Sequence, residues 1–235
     1  MTPDALSMTT FNDTTSLDDL AQVLRSAALL SHHAWQTPAT GTASMPPSIN
    51  TDDLSSDLFR LFTLLRERRV SYLLVGGIAL LRYVEGRNTE DIDLVLSVAS
   101  LEAIPEIEVS ERNADFAQGR FGSLRVDVLL ASNPVFDRAL KHHATTHRFH
   151  TFEVPCATVE GLIILKLYAL PDLYAQGKLQ RAMLYETDIA MLCQRYHPDL
   201  RALLESLRSH VAEGPYEELQ RIVTEIEAKL RRIKG

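Results

Sequence analysis

Two aspartates separated by one residue, Asp91 and Asp93, lie in the otherwise apolar run 91–96. The run predicts a strand, and because strand side chains alternate between faces, both carboxylates project to the same side. Two ionised carboxylates on one face repel each other unless a cation lies between them. Mg²⁺ held by one or two carboxylates and by substrate phosphates would remove this repulsion. The spacing therefore indicates a metal site, although two exposed acids on an edge strand would show the same pattern.

A glycine pair, Gly76 and Gly77, follows the apolar residues Leu74 and Val75 and precedes a second apolar stretch. Such a pair suits a tight turn from a strand to a helix. Because glycine has no side chain, backbone amides at the start of the helix could approach a triphosphate. A plain turn would have the same sequence, so the glycines indicate a phosphate-binding turn only in combination with the aspartate pair.

A third carboxylate, Asp127, lies in the strand-like run 124–130. Alternation puts the apolar residues of this run on one face and Asp127, with Arg125, on the other. Pairing with the strand of the aspartate pair would bring three carboxylates together, enough to hold two divalent ions for in-line phosphoryl transfer. Asp91 and Asp93 would hold the ion that bridges a triphosphate, and Asp127 would share the second ion or take the proton of the attacking hydroxyl. The alternative is that Asp127 is an outward-facing acid.

The order of these motifs resembles that of the DNA polymerase β-like nucleotidyltransferase superfamily. Residues 76–80 and 86–94 are most similar to the small bacterial nucleotidyltransferases related to AbiEii and the MenT toxins, and the resemblance covers roughly residues 55–195. It implies an α/β (α+β) fold in which a minimal mixed sheet with flanking helices is followed by a C-terminal helical bundle. It also implies an enzyme that uses Mg²⁺ and an NTP, transfers a nucleoside monophosphate to an acceptor, and releases pyrophosphate.

Three further residues are candidates for binding the nucleotide. Arg87 precedes the strand of the aspartate pair and could reach a phosphate or the acceptor, or be a solvated loop arginine. Lys166 lies in an apolar helix, so its ammonium must extend to solvent or face an anion. The helical lysine of the family favours contact with the triphosphate, which would make Lys166 catalytic. Asp188 lies on the next helix and could orient Lys166 through an ion pair, bind the sugar, or be an exposed acid.

The resemblance implies that the acceptor is RNA, most simply a tRNA 3′ end, within a toxin–antitoxin or phage-defence system. A cognate antitoxin or toxin protein would then be a partner. Nucleotidylation of a protein partner is an alternative, and so is a module of the same fold that binds a nucleotide or partner without catalysis. Modification of kanamycin-type antibiotics is a further alternative, although the sequence contains no recognisable acidic aminoglycoside cleft.

Composition narrows the class of protein. The chain has 235 residues, 46% of them hydrophobic, which is enough to bury a core. Its formal charge of −7 argues against a broad basic surface for nucleic acid but allows a local basic patch. Cys156 and Cys193 form no Cys-x-x-Cys motif, which indicates reduced thiols in a cytoplasmic protein. We expect no signal peptide and no membrane span, because the apolar runs are short.

Composition also predicts three segments. Residues 1–50, rich in Ser, Thr, Pro and Asp, predict a flexible arm with one helix-like stretch at 17–35. Residues 51–156 form the predicted nucleotidyltransferase core, and residues 157–235 the helical subdomain. Periodicity predicts a helix around 58–65, strands at 72–75, 91–97, 117–122, 124–130 and 149–154, and helices at 78–84, 134–142, 158–170, 180–196, 199–212 and 216–234.

Overall fold

The computed structural model describes residues 51–84, 89, 91–149 and 152–234. The predicted arm over residues 1–50 and the candidate Arg87 lie outside the described residues. The helices are α1 (Thr51–Glu67), α2 (Gly76–Leu80), α3 (Val98–Glu102), α4 (Pro134–His142), α5 (Val159–Ala175), α6 (Leu179–Tyr196), α7 (Leu200–Glu205) and α8 (Glu213–Lys234). The strands are β1 (Tyr72–Val75), β2 (Asp91–Leu96), β3 (Glu108–Arg112), β4 (Phe116–Phe121), β5 (Leu124–Leu130), β6 (Ala144–Phe149) and β7 (Phe152–Ala157).

The chain divides into two compact units. The first contains the described residues up to Ser132 and the segment Thr146–Cys156, and the second contains Asn133–Thr145 and the described residues from Ala157 onward. The first unit is built on the sheet, and the second is helical. The predicted boundaries after residues 50 and 156 remain predictions.

The sheet has seven strands in the order β3-β4-β5-β2-β1-β7-β6. β2 pairs parallel with β5, β1 pairs antiparallel with β2, and β1 pairs parallel with β7. One face is apolar because alternate residues of β2 and β5 are large aliphatics, and these are buried: Ile92, Leu94, Leu96, Val126, Val128 and Leu130. Helix α1 contributes Leu58, Leu61, Phe62 and Leu65 to the core and contacts β5. The alternate positions at the start of β2 and β5 carry Asp91, Asp93, Arg125 and Asp127.

Strand β3 forms one edge of the sheet, and all five of its residues are exposed. Its pairing with β4 shifts register between Val109 and Glu111. A bulge and charged side chains on an edge strand hinder pairing with a second chain. The edge is therefore protected although it is open to solvent.

The helical unit is centred on α5, which contacts α4, α6, α7 and α8. Thr158 caps α5 by accepting a hydrogen bond from the Gly161 amide at 3.2 Å, and the helix continues through Pro171. Nine residues of α5 are buried, so the helix is apolar around most of its circumference. Within the described residues, no helix combines the length and the apolar content that crossing a membrane would need.

The predicted fold class is confirmed: a mixed α/β sheet with flanking helices precedes a set of C-terminal helices. Several predicted boundaries were wrong. The helix predicted at 78–84 ends at Leu80, because the amides of Arg82 and Tyr83 bond three residues back to Ala79 and Leu80 and form turns. The strand predicted at 149–154 is two strands, β6 and β7, and the helix predicted at 199–212 ends at Glu205. Helix α3 and strand β3 were missed.

Candidate active site

The candidate carboxylates lie on two neighbouring strands. In the parallel pair β2–β5, Asp93 is in register with Asp127, and Asp91 is in register with Arg125. Neighbouring strands lie about 4.8 Å apart, and residues in register point to the same face. Asp91, Asp93 and Asp127 are all half-buried, unlike the fully buried aliphatics between them. On this face, β2 and β5 therefore place three carboxylates beside the guanidinium of Arg125.

Asp91 forms an ion pair with Arg125. The Nε of Arg125 lies 3.0 Å from Oδ1 of Asp91, and the two side chains are 53% and 23% exposed. The pair follows from the register, because Arg125 precedes Asp127 by two residues just as Asp91 precedes Asp93. One guanidinium thus offsets one of the three carboxylate charges.

The glycine turn lies directly against Asp93. Gly76 has φ +64°, and a Cβ at this position would lie 1.9 Å from Oδ2 of Asp93. Val75, the residue before the turn, is in register with Asp93 in the antiparallel pair β1–β2. Only glycine fits here, because the positive φ and the contact each exclude a side chain. The glycine turn and the Asp93 carboxylate are therefore in direct contact.

The second glycine approaches Thr89. A Cβ on Gly77 would lie 2.5 Å from Cβ of Thr89. The hydroxyl of Thr89 donates a hydrogen bond to the carbonyl oxygen of Asp91 at 3.2 Å. Thr89 thus connects the glycine turn to the start of β2, a role that the sequence analysis did not assign.

The carboxylate oxygens of these aspartates partly meet the needs of a hard cation such as Mg²⁺. Within the described portion of the chain, no three or more His, Cys, Asp or Glu side chains are grouped so as to hold a metal ion. Asp93 and Asp127 lie side by side, however, and Mg²⁺ usually takes only one or two carboxylates, with substrate phosphates and water completing its shell. Two carboxylates next to a turn without side chains fit that mode of binding. The assignment of Asp91, Asp93 and Asp127 as metal ligands remains a prediction.

Lys166 and Asp188 form a buried ion pair in the helical unit. Nζ of Lys166 donates to Oδ2 of Asp188 at 2.9 Å and lies 4.2 Å from the ring centroid of Tyr185. The two side chains are 6% and 0% exposed, so Lys166 does not extend to solvent and Asp188 is not an exposed helix acid. Of the arrangements considered from sequence, the ion pair is the one observed. Roles of these residues in binding a nucleotide remain predictions.

The two cysteines are poor candidates for nucleophiles. Burial raises the pKa of the Cys156 thiol to about 12, and burial together with the nearby Glu227 carboxylate raises the pKa of Cys193 to about 11. Both thiols are therefore protonated at neutral pH, and thiolate chemistry is excluded for them.

Sequence reasoning missed Arg125 as a component of the site. A signal was present: in a parallel pair that aligns Asp93 with Asp127, the residues two positions earlier must also be aligned. The sequence does not state that register, however, because a shift by two residues keeps every side chain on its face.

No known family model and no curated protein matches the sequence. Among solved structures, the chain is similar to an antigenic nucleotidyltransferase-like protein from Paracoccidioides brasiliensis, with 16% identity and a TM-score of 0.44 over 74% of this chain and 93% of that chain. It is also similar to ANT(2″)-Ia in complex with adenylyl-2″-tobramycin, with 16% identity and a TM-score of 0.45 over 74% of this chain and 97% of that one. A solution structure of the antibiotic-resistance factor ANT(2″)-Ia gives 16% identity and a TM-score of 0.45 over 76% and 95% of the two chains.

Proposed function

We propose that the chain is a nucleotidyltransferase that transfers a nucleoside monophosphate from an NTP to a hydroxyl group of an acceptor. The observation that carries this proposal is the placement of Asp93 beside Asp127, with the backbone of Gly76 directly against the Asp93 carboxylate. Adjacent ionised carboxylates on one face of a sheet repel each other. A divalent cation bound to both the carboxylates and a phosphate removes this repulsion.

Asp93 and Asp127, which lie side by side, would hold the metal, and Asp91 would join them as a further ligand when the nucleotide is bound. A bound divalent ion, or two of them, would offset the charge of the triphosphate and of the group that leaves. The glycine turn supports this proposal because it leaves the Asp93 carboxylate without a covering side chain on that side. The donor atoms are all carboxylate oxygens, which suit Mg²⁺ better than a softer metal.

The reaction assigns a separate task to Asp127. The acceptor oxygen forms a bond to the α-phosphorus of the NTP, the bond from that phosphorus to the bridging oxygen breaks, and pyrophosphate leaves. The proton of the acceptor hydroxyl passes to Asp127, which is half-buried and lies beside Asp93.

The acceptor that we propose is RNA, most simply a tRNA 3′ end, in a toxin–antitoxin or phage-defence setting. Support comes from the resemblance to AbiEii and MenT proteins, and from basic residues at the start of α6, including Lys178 and Arg181. With a net charge of −7, the chain must bind RNA through a local patch. A few phosphate contacts would give salt-sensitive binding, with a log–log slope of roughly −0.7 per phosphate engaged.

The test is a labelling experiment with each of the four α-³²P NTPs and Mg²⁺. The wild-type protein is incubated separately with total RNA, with lysate protein and with an aminoglycoside. We expect labelled RNA and released pyrophosphate, and no product with Asp93→Asn, whose folding is checked by its melting temperature. Charge reversal at Lys178 and Arg181 should reduce RNA labelling while NTP binding persists.

The other outcomes separate the alternatives. Label on a protein side chain would replace RNA by a protein acceptor, and label on the aminoglycoside would favour antibiotic modification. If no acceptor is labelled but NTP binds, the chain is a binding module. If neither labelling nor NTP binding occurs, the proposal is wrong.

A further inference from the structure

The guanidinium of Arg125 lies against one of the two oxygens that the Asp91 carboxylate offers to a divalent ion. Its Nε lies 3.0 Å from Oδ1 of Asp91. The side chain of Asp91 is only 23% exposed, which limits its contact with water. A carboxylate in that position is stabilised by an adjacent positive charge, whether it comes from a guanidinium or from a metal.

The guanidinium of Arg125 and a divalent metal ion cannot both lie against Oδ1 of Asp91. Arg125 is attached to β5, so its charge is always present near the site, whereas a metal arrives from solution. The Arg125 side chain is 53% exposed, and a long exposed side chain can turn away at small cost. Asp91 therefore has two competing cationic partners, a guanidinium on the protein and a metal ion from solution.

We propose that Arg125 is an internal cation that competes with the divalent metal for Asp91. In the metal-free protein it holds Asp91 and limits repulsion among the carboxylates of β2 and β5. When metal and NTP bind, the guanidinium leaves Asp91 for an oxygen of the triphosphate, so Arg125 lowers the affinity for free metal and favours binding of the metal together with its nucleotide. The inference rests on the proposed function, since it needs a metal at these carboxylates.

The matched control is Arg120. It lies on β4 in register with Arg125 and is exposed, and its Nη2 donates to the carbonyl of Ser123 at 3.1 Å. Arg120→Gln removes the same charge one strand further from β2. It therefore measures the effect of net charge alone.

The experiment measures binding of Mn²⁺ by the electron paramagnetic resonance signal of free Mn²⁺, with and without a non-hydrolysable NTP. Arg125→Gln should bind Mn²⁺ about three- to tenfold more tightly than wild type without nucleotide, and Arg120→Gln should change affinity less than about twofold. The gain should shrink when nucleotide is present. In an Asp91→Asn background, Arg125→Gln should give no gain beyond that of Arg120→Gln, because the contested oxygen is altered.

The outcomes distinguish this inference from the proposed function. If Arg125→Gln gains no more than Arg120→Gln, or gains as much in the Asp91→Asn background, competition for Asp91 is wrong and the nucleotidyltransferase proposal survives. If wild-type protein binds no Mn²⁺ in either condition, both are overturned. Circular dichroism and melting temperature confirm that each variant is folded.

Discussion

The side chains of Lys166 and Asp188 carry opposite charges and are both buried. Asp188 is fully buried, and Lys166 is held between its carboxylate and the ring of Tyr185. Burial of a charged side chain costs desolvation free energy. The attraction between the two side chains offsets this cost, but only when both charged groups are present. Removal of one partner therefore leaves an uncompensated buried charge, whereas removal of both does not.

We predict that Lys166→Met and Asp188→Leu each lower the free energy of unfolding by about 3–5 kcal/mol, whereas the double variant recovers most of the loss. Urea denaturation of the four proteins measures this coupling. The double variant also tests function, because a stable protein that no longer transfers nucleotide would assign the pair a role in the reaction. If the two single losses simply add, the residues do not act as a pair.

We predict that Gly76→Ala lowers stability more than Gly177→Ala does. Both glycines have positive φ, +64° and +68°, so each substitution incurs a similar backbone strain of about 1–2 kcal/mol. A Cβ on Gly76 would in addition collide with Asp93, whereas a Cβ on Gly177 meets nothing within 4 Å. The difference between the two unfolding free energies measures the contact with Asp93. Equal losses would mean that Asp93 moves aside freely.

Single residues were predictable from sequence where alternation alone places them. Asp91 and Asp93 share a face in any strand, and so do Arg125 and Asp127. The ion pair between Asp91 and Arg125 was not predictable, because it depends on the register of two segments that are distant in the chain. The pairing of Lys166 with Asp188 was considered, since they lie on consecutive predicted helices, but their burial could be seen only in the packed helices.

At the scale of elements, the turn between β4 and β5 is fastened to α1. The Asp57 carboxylate accepts hydrogen bonds from the amide and the hydroxyl of Ser123 at 2.7 and 2.8 Å. Gly122 precedes Ser123 with φ +59°, and a Cβ there would lie 2.3 Å from Oδ2 of Asp57. The turn sets the register of β4 on β5, and thereby the position of the strand that carries Asp127.

We predict that Asp57→Ala lowers the free energy of unfolding by about 1–3 kcal/mol, because two donors of Ser123 lose their acceptor. Asp57→Asn keeps an acceptor oxygen of the same reach and should lose less. Urea denaturation compares the two variants. Equal losses would show that the charge of Asp57, and not its hydrogen bonds, stabilises the turn.

Elements were predictable where their pattern is strong. Helix α4 has a proline at its start and matches its predicted bounds of 134–142. Strand β3 was missed because an edge strand with five exposed residues has no apolar alternation to reveal it. Helix α3 is a five-residue helix capped by Ser97, too short for helical periodicity to appear.

At the scale of the whole molecule, the grouping of α4 with the helical unit was not predictable. The side-chain amide of Asn133 donates to the hydroxyl of Tyr168 at 3.0 Å, and the rings of Phe136 and Tyr168 meet edge to face at 5.7 Å. Such contacts join residues far apart in sequence and follow from packing alone. The fold class was predictable because it depends only on the order and type of the strong elements.

The two thiols report on the integrity of the whole fold. Cys156 and Cys193 are both buried, with pKa values raised to about 12 and about 11 by burial. We predict that neither reacts with Ellman's reagent in the native protein at pH 8, and that both react in urea with the rate of unfolding. The variant Cys193→Ser, which keeps only Cys156, shows how much of the reaction belongs to each thiol. Rapid labelling of native protein would contradict the packing around these residues.

The parallel pairing of β1 with β7, at Leu74 and Cys156, has a consequence for synthesis. A ribosome delivers β1, β2 and β5 early, but β1 keeps an unpaired edge of amides and carbonyls until the chain has been made as far as Cys156. Pairing over such a separation in sequence is slow, because closing the intervening loop costs conformational entropy before the strands make contact. During that interval the apolar strand 72–75 is an open template for another nascent chain. The last strand to be added to β1 therefore protects the newborn protein from aggregation.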